Sequence, residues 1–398
     1  MPDPGWAADA RTRPPAGAAA APGGGAAARA GDPPAPPAPA GRIGAGTARA
    51  PVPVMVCDDS SVIRAALCRM LESDPDIRVV ARAGDGQAAL DALRRQPVDV
   101  VVLDIEMPVM DGLTALPLLL RARPGLRVIV ASTLTTRGAD VALRALRLGA
   151  ADYLPKPGAR GIAAEAFRAE LLAKVRGLAR LRDPGRAGAP PAGAPACRPA
   201  GRAARLVAIG SSTGGPQALF AVAKGLAAGG ATLDVPVVLT QHMPPAFTAM
   251  LAAHLSGLGG PPCAEAQDGR PLLPGRIHVA PGDRHLLVER RGGGLVARLW
   301  DGPAENYCRP SVDPMLRSAA AACEGRVLGV MLTGMGQDGL AGTRAVVDAG
   351  GTAIAQDEAT SVVWGMPGAV ARAGLCHAVL PLPEIAPKVL ELLRAGAR

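Results

Sequence analysis

Two groups of residues in this chain have the types and spacing needed for chemistry. The first is rich in oxygen ligands: Asp58-Asp59, Asp104, Ser132 and Lys156 each close a short apolar run. Carboxylates gathered in one pocket repel one another and call for a cation, and an all-oxygen set suits Mg2+. With the metal in place, Asp104 could act as a nucleophile toward a phosphoryl group. Lys156 would hold a phosphoryl oxygen by charge, and the Ser132 hydroxyl could follow it by a hydrogen bond. Taken singly, each residue is equally at home as a polar loop residue or a solvated charge.

The second group begins where the apolar run LVAIG gives way to Gly210-Ser211-Ser212-Thr213-Gly214-Gly215-Pro216. Gly210, Ser212 and Gly215 occupy the three glycine positions of a dinucleotide fingerprint. A serine in the middle blocks close approach of a pyrophosphate, and that reading needs an acidic residue about 20 positions on, whereas the second strand-like run ends Thr240-Gln241-His242. The alternative is a nucleophile turn: Gly210-x-Ser212-x-Gly214 fits G-x-S-x-G, where small neighbours let a serine protrude beside helix N–H groups. His242 follows the next strand-like run, Val235–Thr240, and could reach the same cleft as a base. Asp338, in the loop Thr333-Gly334-Met335-Gly336-Gln337-Asp338-Gly339, could orient that imidazole. Spacing alone leaves Asp283, Asp301 and Asp313 open as the carboxylate, and His254, His278 and His285 as the base. On spacing, Met335 reads as loop packing.

The elements that must position these residues show in the alternation of apolar runs with amphipathic stretches. Val52–Val56, Ile77–Ala83, Val98–Leu103, Leu126–Ala131 and Ala151–Leu154 read as strands, with helix-like segments beginning near Ser61, Gly86, Asp111, Ala139 and Ile162. Five βα units predict a doubly wound parallel sheet, whose ligands bind at the carboxyl ends of the strands. A second α/β pattern starts at Arg205, with strand-like runs at Leu206–Ile209, Val235–Thr240, Ile277–Ala280 and Val327–Thr333, and it ends in a helical stretch, Leu382–Arg394. Between the two patterns, RDPGRAGAPPAGAPACRPAGRAA (182–204) has linker composition. The expected organisation is therefore a tail over 1–50, a first domain over 51–175, a linker over 176–204 and a second domain over 205–398.

Composition excludes several classes. The 398 residues hold Trp 3, Tyr 2 and Phe 3, too few to stack on nucleobases. Residues 1–50 contain 18 Ala, 10 Pro and 9 Gly, a composition expected of a disordered tail. The formal charge of +9 sits mainly outside the expected domains: 1–50 contributes +2 and 176–205 contributes +6. A basic face for nucleic acid is thus not expected. Cys 7 is an odd count without CxxC pairing, which fits reduced thiols. No apolar run reaches the roughly 18 residues of a membrane span, and the start lacks a signal-peptide pattern, so a cytoplasmic protein with no membrane insertion is expected.

Taken together, VMVCDDS, VVLDIEMPVMDG, VIVAST and YLPKP resemble a response-regulator receiver domain over about residues 51–175. The resemblance implies that Asp104 is the phosphoacceptor and that Asp58, Asp59, Asp104 and the Glu106 carbonyl surround Mg2+. Ser132 and Lys156 would be the switch residues, with a cis peptide at Lys156-Pro157. All five histidines (242, 254, 278, 285, 377) lie beyond the linker, so the phosphoryl group is expected from a separate histidine kinase. IGSSTGGPQAL, LTQHMPPAFT, HVAPGDRHL, CRPSVDPML, VMLTGMGQDGLAG and AQDEATSVVWGMPGAV resemble the catalytic domain of the chemotaxis protein-glutamate methylesterases. This second resemblance implies a triad of Ser212, His242 and Asp338, with Thr213 and Met335 supporting the oxyanion. The implied reaction is hydrolysis of glutamyl methyl esters on chemoreceptor helices, with deamidation of selected glutamines as a second activity and no cofactor for the esterase step. It also implies that the unphosphorylated receiver restricts the active site and that phosphorylation relieves the block. Two rival readings share these residues: a receiver-gated serine hydrolase with another acyl substrate, and a non-catalytic phospho-switch that binds a partner.

Overall fold

A computed structural model describes residues 50–132, 135–156, 165–182, 198–228 and 233–395. The expected tail up to residue 49, the Lys156-Pro157 peptide and positions 183–197 of the expected linker lie outside the described residues.

The first domain runs β1 (Val52–Cys57), α1 (Ser61–Glu72), β2 (Ile77–Ala83), α2 (Gly86–Arg95), β3 (Val100–Asp104), α3 (Gly112–Ala122), β4 (Arg127–Ser132), α4 (Thr136–Arg147), β5 (Asp152–Pro155) and α5 (Glu165–Arg182). Its parallel sheet has the order β2-β1-β3-β4-β5. Every residue of β3 is buried, as a central strand covered on both faces requires. Ser60, Asp85, Asp111 and Thr135 each accept a hydrogen bond from the N–H three residues on, which satisfies helix-start donors and fixes where each βα loop ends. The strand order reverses between β1 and β3, and so Asp58 and Asp104 arrive at one crevice.

The second domain runs β6 (Leu206–Ser211), α6 (Gly215–Ala228), β7 (Val237–Gln241), α7 (Pro245–Ser256), β8 (Cys263–Glu265), β9 (Ile277–Val279), β10 (His285–Arg291), β11 (Gly294–Trp300), α8 (Val312–Ala322), β12 (Val327–Met331), α9 (Leu340–Asp348), β13 (Thr352–Gln356), α10 (Met366–Arg372), β14 (Ala378–Leu380) and α11 (Leu382–Ala395). A parallel sheet of order β14-β13-β12-β6-β7-β9-β8 forms its centre, with β10 and β11 as an antiparallel hairpin. Here the order reverses between β6 and β12, the strands that precede Ser212 and the Asp338 loop.

The structure departs from the expected boundaries at the end of the first domain. Positions 176–182, read as linker, continue α5 to Arg182 because Leu178 and Ala179 are buried and Gly177 packs against the Val362 carbonyl of the second domain. Positions 198–204 likewise lie on the second domain: Gly201 N–H donates to Thr352 Oγ1 at 2.7 Å, and Arg202 holds the Ala349 carbonyl. The two domains meet along α4, β5 and α5. Tyr153 stacks on Phe247 with ring centroids 5.0 Å apart. Gln217 Nε2 donates to the Leu146 carbonyl at 2.8 Å, and Arg180 to the Glu358 carbonyl at 2.6 Å. Strands β8, β10, β11, β13 and β14 had no counterpart in the sequence reading; β8 and β14 are three residues each, too short for periodicity to register.

Candidate functional site

Strands β6 and β7 pair in parallel with Ser211 opposite Gln241, so Ser212 and His242 leave the sheet side by side. The turn carrying Ser212 is held by backbone and side chain alike. Ser212 N–H donates to the Thr333 carbonyl at 3.0 Å, and Gln241 Nε2 donates to the Ser212 carbonyl at 2.9 Å. Thr213, buried, offers its carbonyl to Thr333 Oγ1 at 2.9 Å. The loop after β12 comes so close that a Cβ on Gly334 would stand 2.9 Å from Ser212 Cβ and 2.3 Å from Met366 Sδ. Only glycine fits at that position, and Met335, partly exposed, follows directly after it.

His242 Nε2 lies 2.7 Å from Asp338 Oδ2. With Asp338 ionised, the ring proton belongs on Nε2. Nδ1 faces Cys308 Sγ at 3.4 Å, a contact in which the protonated ring donates to the sulfur. Burial opposes a charge on His242, but the bonds to Asp338 and Cys308 outweigh it and raise its pKa to about 9. Asp338 is buried and heavily bonded. Oδ1 accepts from Ser311 Oγ at 2.7 Å, Asn306 Nδ2 at 2.9 Å and Gly339 N–H at 2.9 Å, and Oδ2 accepts from Val312 N–H at 2.6 Å. Burial works against its charge, yet the contact with His242 and these donors lower its pKa to about 2. The ion is thereby kept anionic beside the imidazole.

The competing residues are used elsewhere. Asp283 pairs with Arg309 and Asp301 with Arg284. Asp313 accepts from Asn306 Nδ2 at 2.9 Å, which places it behind Asp338. Buried His285 accepts the Ser311 N–H at Nδ1 and faces the Pro303 carbonyl through Nε2, so it braces the loop that supports Asp338. His254 faces Asp140 of the first domain at 3.4 Å, and His278 lies on Leu273. Cys308, Asn306 and Ser311 were missed as site residues. Cys308 and Ser311 lie in CRPSVDPML, a segment whose role is invisible until α8 is packed against β6.

In the first domain, ligand oxygens of Asp58, Asp59 and Asp104 lie within 4.8 Å of one another. Lys156 Nζ is 2.9 Å from Asp58 Oδ2 and 2.7 Å from Asp104 Oδ2. Burial and the neighbouring Asp58 raise the Asp104 pKa, against the pull of Lys156. Burial disfavours a charge on Lys156, but bonds to Asp104 and Asp58 raise its pKa. One ammonium shared between Asp58 and Asp104 cannot neutralise three carboxylates, so this all-oxygen donor set fits a hard divalent cation. Glu106 adjoins the cluster through its N–H, 3.4 Å from Asp104 Oδ1. Ser132 Oγ, buried, donates to the Gly138 carbonyl at 2.6 Å, which ties it to the first turn of α4.

Comparisons with known proteins converge on both halves. The family described as response regulator receiver domain matches residues 54–167, and CheB methylesterase matches residues 207–389. The protein-glutamate methylesterase/protein-glutamine glutaminase 1 of Paramagnetospirillum magneticum is 53% identical over 365 residues, covering 85% of this chain and 95% of that protein. The protein-glutamate methylesterase/protein-glutamine glutaminase of Azospirillum brasilense is 53% identical over 392 residues, covering 92% and 98%. Among solved structures, the catalytic domain of Thermotoga maritima CheB methylesterase is 40% identical and covers 48% of this chain and 98% of that chain, with a TM-score of 0.46.

Proposed function

The chain belongs to the CheB methylesterase family, with a response-regulator receiver ahead of the catalytic domain, and from that premise we propose that it hydrolyses glutamyl methyl esters on chemoreceptors and deamidates selected glutamines. The observation that carries this reading is the His242–Asp338 pair at 2.7 Å beside a serine held on the adjacent strand end. Ser212 Oγ attacks the side-chain carbonyl while His242 takes its proton, and the imidazolium returns it to methoxide or ammonia. Asp338 stabilises that cation. Because Nε2 is engaged by Asp338, Nδ1 is the nitrogen that accepts the proton, and the ring exchanges Cys308 for Ser212 to do so. The acyl-enzyme is opened by water along the same route. Ammonia is the poorer leaving group, so deamidation leans harder on protonation by His242.

The receiver takes its phosphoryl group on Asp104 from a chemotaxis histidine kinase. Asp58, Asp59, Asp104 and the Glu106 carbonyl would hold Mg2+, which shields the phosphoryl charge when bound. Lys156 moves from Asp104 to a phosphoryl oxygen, and Ser132 Oγ leaves the Gly138 carbonyl to follow. Before phosphorylation the receiver, seated along α4, β5 and α5, restrains the active site. The deciding experiment is methanol release from methylated receptor, with and without a phosphoryl donor. Release that is absent from Ser212→Ala and stimulated by the donor supports the reading. Hydrolysis of small esters without any action on methylated receptor would favour another acyl substrate, and no phosphonate labelling of Ser212 would favour a binding switch. Among the described residues no helix is long and apolar enough to cross a membrane.

A further inference from the structure

The turn that carries Ser212 is held by the catalytic domain at Ser212 and Thr213, through Thr333 and Gln241. The next donor is treated differently. Gly214 N–H, immediately before α6, donates to Asp152 Oδ2 of the receiver at 3.0 Å. Gly214 has a φ of 75°, and a Cβ there would meet Val362 Cγ2 at 2.5 Å, so the turn has no room to move aside.

Asp152 is an unusual residue to bring to a domain contact. It is 1% exposed, and its Oδ2 also takes Lys174 Nζ at 2.9 Å, while Oδ1 accepts its neighbour's Tyr153 N–H at 2.8 Å. Lys174 is 2% exposed and bonds the Tyr153 carbonyl at 2.6 Å and Glu170 at 3.1 Å. Burying such an ion pair is costly, and a helix N-terminus is where an added anion is best accommodated. A helix start beside a nucleophile turn favours the negative charge that develops there, so an anion already held at that start works against it. Asp152 opens β5, and Lys156, which holds Asp104, directly follows that strand.

We infer that Asp152 is a positioning residue for Ser212: with the receiver seated, its carboxylate occupies the Gly214 N–H and disfavours negative charge at the nucleophile turn, so that the receiver slows the chemical step as well as access. This rests on Ser212 being the nucleophile. Removing the carboxylate should therefore raise kcat rather than lower KM, whereas simple occlusion would act on KM for the bulky receptor.

The test uses the full unphosphorylated chain in three forms: unmodified, Asp152→Asn, and the double variant Asp152→Ala with Lys174→Met, which leaves no unpaired buried charge. Residue-resolved hydrogen exchange reads the Gly214 amide, and a small fluorophosphonate, which needs no receptor-sized access, reads the reactivity of Ser212. In the double variant, Gly214 exchange is expected to speed up by about tenfold or more, with β3 and β6 amides unchanged. Ser212 phosphonylation and kcat on methylated receptor should rise roughly fivefold or more at similar KM, with Asp152→Asn showing the kinetic gain through loss of charge. Unchanged Gly214 exchange, or faster exchange without any gain in Ser212 reactivity, overturns the inference. Absence of label on Ser212 in all three proteins would instead overturn the nucleophile assignment, and the inference with it, while Gly214 exchange would still report whether the bond exists.

Discussion

His242 meets Asp338 through Nε2 at 2.7 Å, and its other ring nitrogen faces Cys308 rather than Ser212. The charge-stabilising half of the proposed triad is thus assembled in this arrangement, while the proton-accepting half is turned to Cys308. Among the described residues no hydrogen bond joins Ser212 Oγ to the imidazole.

This arrangement sets a pH dependence. A base must be neutral to accept a proton, and the His242 pKa is raised from its ordinary 6.5 to about 9. Esterase activity is expected to climb with pH up to an inflection near 9. Cys308→Ala removes one of the contacts that raise the value, so the inflection should move down, with folding intact. An inflection that stays in place in Cys308→Ala would show that the thiol has no hold on the imidazole.

The same pair contributes to stability in a defined window. A raised histidine favours the fold fully below pH 6.5 and loses that contribution as pH rises through about 9. A lowered aspartate favours the fold above 3.8 and loses that contribution as pH falls toward about 2. Asp338→Asn should therefore lose stability most strongly between pH 3.8 and 6.5 relative to the unmodified chain. It should also lower kcat by roughly 10⁴-fold, as loss of an orienting carboxylate does in serine triads. Thermal unfolding across pH and single-substrate kinetics check the two claims separately.

Ser211 and Ser212 are adjacent hydroxyls with different surroundings. Ser211 Oγ is buried and donates to Gln241 Oε1 at 2.7 Å, so it is committed to the core. Ser211→Ala should keep most activity while costing about 1–3 kcal/mol, because the buried Gln241 oxygen loses its donor. Ser212→Ala should leave only the residual rate that binding and oxyanion donors provide. Equal loss of activity in both, with both folded, would overturn the assignment of Ser212.

Phosphoryl transfer has its own signature. Unmodified protein incubated with a phosphoryl donor should gain an acid-stable, base-labile label, and chelation of divalent cations should prevent it. Asp104→Asn should take up no label and should remain at its basal esterase rate when donor is added. Label retained on Asp104→Asn would place the acceptor elsewhere.

The domain contact should be visible in stability. Phe247 is fully buried and stacks on Tyr153 of the receiver. Phe247→Ala should destabilise the chain by about 3–5 kcal/mol and loosen the seating of the receiver, measured as faster amide exchange in α4 and β5. Loss of stability with no change in α4 or β5 exchange would mean that the ring serves only its own domain's core.

Sequence alone determined the two α/β domains, the carboxylate pocket and the Ser-x-Gly turn, because these depend on local signals. Apolar runs of strand length, Asp and Ser at helix starts and glycines around a serine are all written within a few residues of where they act. The choice of Asp338 over Asp283, Asp301 and Asp313 was of another kind. Spacing left it open and the resemblance implied Asp338, but the physical reason shows only in the packing of α8 and its preceding loop, which brings Ser311, Asn306 and the Val312 N–H onto that one carboxylate. The reach of α5 to Arg182 was hidden for a related reason: the Gly and Arg positions that read as linker are stabilised by partners nearly two hundred residues away, Gly177 by Val362 and Arg180 by Glu358. The bond from Asp152 to Gly214 belongs to the same class, since a buried carboxylate next to a tyrosine carries no sequence mark of the backbone N–H it will meet. Contacts between distant segments arise from how whole elements stack, and that stacking is decided by the tertiary structure.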